Sequence, residues 1–300
     1  MLQEAGAADP GTAREQPPGS RQQAIAHRPW AWEIQTGSTK IWIVGCLHLG
    51  TPRDALAFPA YLPIYRRASV VYFETIPGSS GSYDNKRLVG HRGYLSDRQL
   101  LSSRISSETW QKLTLTLSSD PARLAAVSRM EPWLAAITLI QDGYAKASLD
   151  RENSLETFLR KQAIRDRKPI GAMETSKDQI LAMADIPISD QEVFLKDTLN
   201  GLENIDAETQ ALRDAWMSGN QSLLQTALGF DSAVSRSGMH QSLIGQRNQR
   251  WIDKIKEIGE RRKDAVIVVG VEHLVSTSSA LPELLDKAGF AIRRIAPNAK

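Results

Sequence analysis

The chain has 300 residues, 41% hydrophobic and 24% charged, which is enough for one large core or two modest ones and carries the balance of a soluble globular protein. A formal charge of +3, from 37 basic and 34 acidic residues, is too small to imply a nucleic-acid partner. The single cysteine excludes an intramolecular disulfide framework and any multi-cysteine zinc site, and no stretch approaches the roughly 18 apolar residues that a membrane span requires.

Residues 1–28 are rich in Ala, Gly, Pro and Gln and lack an apolar or amphipathic period, so they are expected to form a disordered tail ahead of one α/β domain over 29–300. As it stands the chain carries no secretory signal and reads as cytoplasmic, while removal of an upstream segment would make it periplasmic or secreted. Trp32-Glu33-Ile34 and Lys40 to Val44 flank Gly37-Ser38, a hairpin signal. A helix is predicted over 56–68, then a strand at Val70, then a Gly/Ser-rich loop over 77–82. Ser96, Ser107 and Ser119 or Asp120 are the helix starts predicted before residue 149. From Asp150 the spacing of Leu155, Phe158 and Leu159 predicts a helix that Lys168-Pro169 ends. Ser189 and Glu192 form a capping-box pattern, and Gly219 separates predicted helices at 206–218 and 220–228.

The helix predicted from Ser237 to Arg262 places Arg247 and Asn248 on the same stripe as Leu243, Ile244, Trp251 and Ile255. An arginine on a buried stripe requires an anionic partner, because an isolated buried charge is very costly. A helix over 282–288 and a strand over 291–295 close the chain.

Four short apolar runs each end on a residue capable of acid, base or metal chemistry. Ile41 to Val44 precede Gly45-Cys46-Leu47-His48, Val70 to Phe73 precede Glu74, Pro169 to Met173 precede Glu174, and Val266 to Val269 precede Gly270-Val271-Glu272-His273. As strands of one sheet, their carboxyl ends would share the edge where open α/β sheets place ligand sites. A glycine past a strand is by itself a turn residue, and a following histidine by itself a cap; ordinary packing does not require four such residues at equivalent strand ends. Cys46 reads either as a small buried side chain or as a thiol nucleophile beside His48.

The order Val44-Gly45-x-x-His48-Leu49-Gly50, then Glu74, then Lys168-Pro169 to Met173-Glu174-Thr175 with Gln179, then Arg247-Asn248-x-x-Trp251, then Val269-Gly270-x-x-His273-Leu274 resembles the TraB/PrgY/GumN family, which includes the TIKI metalloproteases. The likeness runs from about Trp30 to the C-terminus. It implies a mixed, mainly parallel central sheet flanked by helices with helical insertions, with a hydrolase-like pocket related in plan to that of erythromycin esterase. It also implies peptide cleavage with a divalent cation such as Mn or Co for TIKI-like members, and peptide-pheromone shutdown for others. Two departures stand out. Cys46 replaces the usual Thr, and Val271-Glu272 with Val275 to Ser279 replace the small residues around the second histidine, so that Glu272 is either an extra ligand or a disturbance of the pocket.

The leading expectation is therefore metal-assisted hydrolysis of a peptide or ester bond. His48, His273 and Glu74 would hold a divalent ion (Mn, Co or Zn), Glu174 would act as general base, and Arg247 would stabilise the oxyanion, with the roles of the two glutamates interchangeable. The alternatives are a metal-free esterase-like site using His48 or His273 as base, and a protein that sequesters peptides without turnover. The expected partner is a peptide or small molecule.

Overall fold

The computed structural model describes residues 29–76, 82–230 and 238–295. The expectations for residues 1–28 and for the Gly/Ser-rich run from Pro77 to Gly81 lie outside these. Six strands form one sheet: β1 (Ala31–Thr36), β2 (Thr39–Cys46), β3 (Val70–Phe73), β4 (Ile170–Ala172), β5 (Ala265–Gly270) and β6 (Ala291–Arg294), in the order β4-β3-β5-β2-β1-β6. β2, β5, β3 and β4 run parallel, while β1 is antiparallel to β2 and β6 to β1. The fold is the mixed, mainly parallel α/β sheet flanked by helices that the sequence predicts.

Local sequence explains the strands that carry the site. β5 is buried along its whole length, and β2 nearly so, as expected of β-branched runs inside a parallel sheet covered on both faces. Gly37 adopts φ +57 in the two-residue turn between Thr36 and Thr39, a conformation that suits glycine and matches the hairpin twist. Pairing of Cys46 with Gly270, and of Phe73 with both Val268 and Ala172, brings the carboxyl ends of four strands level.

Trp30, Trp42, Ile43, Phe73, Trp251, Ile255 and Val268 belong to the main core on the sheet. Fully burying a side chain such as Ile255 or Ile258 contributes roughly 1.5–3 kcal/mol. A second apolar cluster, including Leu101, Leu113, Leu139, Leu195 and Leu199, lies among the helices between residues 95 and 202, and a third contains Trp133, Ile180 and Met239.

Several local expectations change. The segment predicted as a helix over 56–68 begins earlier, as a 3-10 helix over Pro52–Tyr61 that passes into an α-helix over Leu62–Arg67. No helix starts at Ser96, whose hydroxyl bonds Gln99, whereas Ser82, Ser106 and Asp120 cap real helices. The Ser189 capping box is not formed. Pro187 precedes the helix Ile188–Gly201, Ser189 lies inside its first turn, and Glu192 accepts instead from the Ser106 amide and the Thr109 hydroxyl. A tertiary partner outcompetes the local cap here. The long helix containing Arg247 forms over 238–260 as predicted, but its winding is not uniform: a π-helical turn over Gln241–Gly245 precedes the α-helix Gln246–Glu260.

Candidate functional site

Two glycine turns lie side by side at the sheet edge. The Val271 amide donates to the Cys46 carbonyl at 2.8 Å, tying together the Gly45–His48 and Gly270–His273 turns. A Cβ on Gly45 would lie 2.9 Å from side-chain carbons of both Leu274 and Val271, so close packing of the turns requires glycine there. Glu74 follows β3 directly. The ladder beside it continues past β4, with the Glu174 amide donating to the Glu74 carbonyl at 3.0 Å, and this sets the two carboxylates next to each other.

Arg247, from the stripe of the Gln246–Glu260 helix, sits between those carboxylates. Its Nη2 donates to Glu74 Oε2 and to Glu174 Oε1, each at 2.5 Å, its Nε to Glu174 Oε1 at 2.8 Å, and its Nη1 to the Leu243 carbonyl at 2.8 Å. Gln179 Nε2 adds a bond of 3.1 Å to Glu74 Oε2. The guanidinium also stacks 5.0 Å from the centre of the Trp251 ring, which in turn lies 4.4 Å from the His273 ring. One buried atom of this group, Glu174 Oε2, has no hydrogen-bond partner among the described residues.

The other oxygen of Glu74 faces the histidines. Oε1 accepts from the Gly270 amide at 2.7 Å and lies 3.4 Å from His48 Nε2 and 3.8 Å from His273 Nε2. The network fixes the ring protons. Asn248, fully buried, donates its amide to the carbonyls of His273 and Ser279, which leaves Asn248 Oδ1 to accept from His273 Nδ1 at 2.6 Å. His273 Nε2 therefore presents a lone pair. His48 Nδ1 is 2.9 Å from Glu156 Oε2, a carboxylate that orients the ring as outer-shell acids orient metal-binding imidazoles.

Charge follows this geometry. Burial and the Arg247 guanidinium both push His273 well below the usual imidazole value, so it is neutral. Burial also works against a charge on His48, but the Glu156 carboxylate hydrogen-bonded to it and the Glu74 carboxylate beside it outweigh this and raise that imidazole well above its ordinary value. Burial pushes the Glu74 carboxyl up, yet Arg247, with the charged His48, holds it well below the usual range. Glu272, at the start of the short helix Glu272–Val275, is pushed up by burial.

The five residues singled out in the sequence, His48, Glu74, Glu174, Arg247 and His273, are thus one connected cluster. Glu174 sits behind Arg247, and Glu74 is the hub. Sequence reasoning missed Glu156, whose only sequence signal is an acid in the first turn of a helix read for its apolar face. It placed Asn248 on the stripe without a role. Among the described residues, the side chains of Cys46, His48 and Glu156 form a group able to hold a metal, with ligand atoms all within 4.8 Å of one another. Cys46 is a reluctant member: its Sγ donates to the Val269 carbonyl at 3.2 Å, and burial with the nearby acids raises its thiol well above the usual value.

Two cavities open beside the cluster. One, of about 340 Å³, is bordered by Phe194, Phe230, Met239 and Leu243, and the other, of about 200 Å³, by Leu47, His48, Leu149 and Arg213. Tyr144, Thr209, Leu212 and Glu272 line both.

The family model described as TraB/PrgY/gumN matches residues 30–294. An uncharacterized protein of Treponema pallidum (strain Nichols) is 23% identical over 278 residues, covering 87% of this chain and 82% of its own. The uncharacterized protein YbaP of Escherichia coli (strain K12) is 23% identical over 250 residues, covering 83% and 89%. No solved structure matches the chain.

Proposed function

Because this chain belongs to the TraB/PrgY/gumN family, we propose that the cluster at the sheet edge holds a divalent cation on His48, His273 and Glu74 and hydrolyses a peptide or ester bond. The observation that carries this reading is the meeting of two imidazole Nε2 atoms on one carboxylate oxygen, Glu74 Oε1, at 3.4 and 3.8 Å. Asn248 leaves His273 Nε2 unprotonated, and a buried lone pair facing a carboxylate oxygen without a proton is unfavourable unless a cation joins them. The donor chemistry fits, since two imidazoles and a carboxylate form the set used by open catalytic metal sites. A Cβ on Gly270 would lie 2.6 Å from Glu272 Oε2, 2.9 Å from His48 Nε2 and 3.4 Å from Glu74 Oε1, so glycine is what lets these groups close on the turn.

When bound, such a cation supplies a Lewis acid that polarises a carbonyl and lowers the pKa of water. The chain's own residues do the rest. Glu156 fixes the His48 ring, Asn248 fixes the His273 tautomer, and Arg247 holds Glu74 ionised with one oxygen turned to the histidines. With its bonds to Glu74, Glu174 and Leu243, Arg247 retains one Nη1 hydrogen for a developing oxyanion. The cavities shared by Tyr144 and Glu272 give a substrate a partly apolar seat beside the cluster.

Cys46, His48 and Glu156 offer the competing metal set, and the protonated, carbonyl-bound thiol argues against it. The test is metal analysis of purified protein together with mass spectrometry of a peptide mixture after incubation. One equivalent of a transition metal and new cleavage products are expected. Protein that takes up no metal and leaves every peptide intact would overturn the reading, and peptide retention without cleavage would favour capture.

A further inference from the structure

The Glu272 carboxylate lies at the cluster, on the turn that carries His273. Glu272 Oε2 lies 2.6 Å from the point a Gly270 Cβ would occupy, His48 Nε2 lies 2.9 Å from that point, and Glu74 Oε1 lies 3.4 Å from it. Three potential ligand atoms thus converge on the bare Cα of Gly270. Independently, the Nε2 lone pair of His273, whose side chain is 1% exposed, is aimed at Glu74 Oε1 on the same side.

The Glu272 carboxylate makes no hydrogen bond to a side chain of another described residue, although its neighbours in the cavity walls include Tyr144 and Thr209. A half-buried carboxylate beside apolar walls is costly unless it takes up a proton or something positive meets it. Arg247 is already shared between Glu74 and Glu174, and His48 between Glu74 and Glu156. Four carboxylates, those of Glu74, Glu156, Glu174 and Glu272, therefore surround one guanidinium and the two imidazoles.

We propose that Glu272 is a fourth protein ligand to the divalent cation, completing a two-histidine, two-carboxylate set with His48, His273 and Glu74; this rests on the metal-site reading above. Two carboxylates balance a dication. The added oxygen shifts the preference toward Mn, Fe or Co, which accept mixed nitrogen and oxygen ligands, and away from any thiolate-dependent ion. Its position in the wall common to both cavities places the fourth ligand where a substrate enters, so that metal affinity and substrate access meet at one side chain.

The test measures Co²⁺ and Mn²⁺ binding by calorimetry, and the visible Co²⁺ spectrum, for the full chain, Glu272→Gln, Glu272→Ala and His273→Ala. Glu272→Gln keeps the shape and removes the charge. It should weaken Co²⁺ binding by at least the 10–100-fold seen for loss of outer-shell partners, and change the intensity of the Co²⁺ bands. Thermal unfolding of the metal-free protein should be unchanged or raised, and the melting-temperature gain on adding Co²⁺ should shrink in both Glu272 variants. Wild-type affinity and spectrum in Glu272→Gln, with binding lost in His273→Ala, would overturn the fourth ligand and leave the metal site standing. A full chain that binds neither ion would overturn the metal reading itself, and this inference with it.

Discussion

On its Arg247 flank, Glu74 meets a guanidinium that also holds Glu174, sealed under helix and sheet with about a tenth or less of any of the three side chains accessible. On its other flank it meets two imidazole nitrogens at distances too long for ordinary hydrogen bonds, in a corner lined by Glu272 and open to the cavities, with 39% of the His48 side chain accessible. The same carboxylate thus has one oxygen bound to the guanidinium and one held only by the Gly270 amide, with both imidazoles left unjoined to it. The difference separates scaffold from chemistry more sharply than residue type does, since both flanks are made of charged side chains. A closed ion pair fixes positions, and an unfinished one leaves a place for something to bind.

Breaking the closed flank should have the largest effect. Arg247→Ala leaves Glu74 and Glu174 buried without a counter-charge and should lower unfolding free energy by about 3–5 kcal/mol in urea titration. Loss of metal binding with stability intact would leave Arg247 its part in the chemistry and none in the scaffold.

Filling the open corner should do the reverse. In Gly270→Ala the new methyl meets Glu272, His48 and Glu74 within 3.4 Å, at a cost of about 1–3 kcal/mol in stability and with loss of stoichiometric metal by elemental analysis. An alanine variant that binds metal as the parent does would show that the corner is not the site.

Asn248→Ala sharpens the comparison from behind. It frees His273 to change tautomer and should weaken metal affinity by about 10–100-fold in calorimetry.

A carboxylate far from the cluster gives the pH control. Burial pushes Glu33 up, but hydrogen bonds from Arg293 and Trp42, with the charges of Arg293 and Lys40, hold its carboxyl below the usual range. A depressed value means stability that is present above the unfolded carboxylate pKa of about 4.3 and lost as pH falls through the folded one. Glu33→Gln should therefore flatten the acid limb of a stability-versus-pH curve, and an unchanged limb would assign that slope elsewhere. The smallest effect is expected from Cys46→Ser, which should keep full metal content and add no change in the near-ultraviolet Co²⁺ spectrum; loss of a thiolate band there would restore Cys46, His48 and Glu156 as the ligand set.

The candidate site was largely legible in the sequence because its parts are strand endings. A buried run that stops at Gly-x-x-His or at Glu delivers that residue to the carboxyl edge of the sheet, and Arg247 announced itself by lying on an apolar stripe. Glu156 was not legible, since an acid in the first turn of a helix is ordinary and only tertiary packing turns it toward His48. The hairpin of β1 and β2 was readable from Gly37. The sheet order was not, because the pairing of β2 with β5 joins residues more than 200 positions apart. Ser189 shows the limit from the other side: its capping pattern is complete, yet Glu192 finds Ser106 and Thr109 instead.

The π turn over Gln241–Gly245 has a consequence for how such a chain can change its length. Removing one residue there returns the backbone to ordinary winding and re-phases what lies upstream, Met239 and His240 at the rim of the larger cavity, at the expense of the Leu243 carbonyl that accepts from Arg247. Removing one residue a turn later rotates Arg247 by about 100° off its stripe and takes both ion pairs apart. Insertions and deletions before Gly245 thus remodel the pocket, while those after it dismantle the cluster, so variation among relatives in this helix should be confined to its N-terminal side.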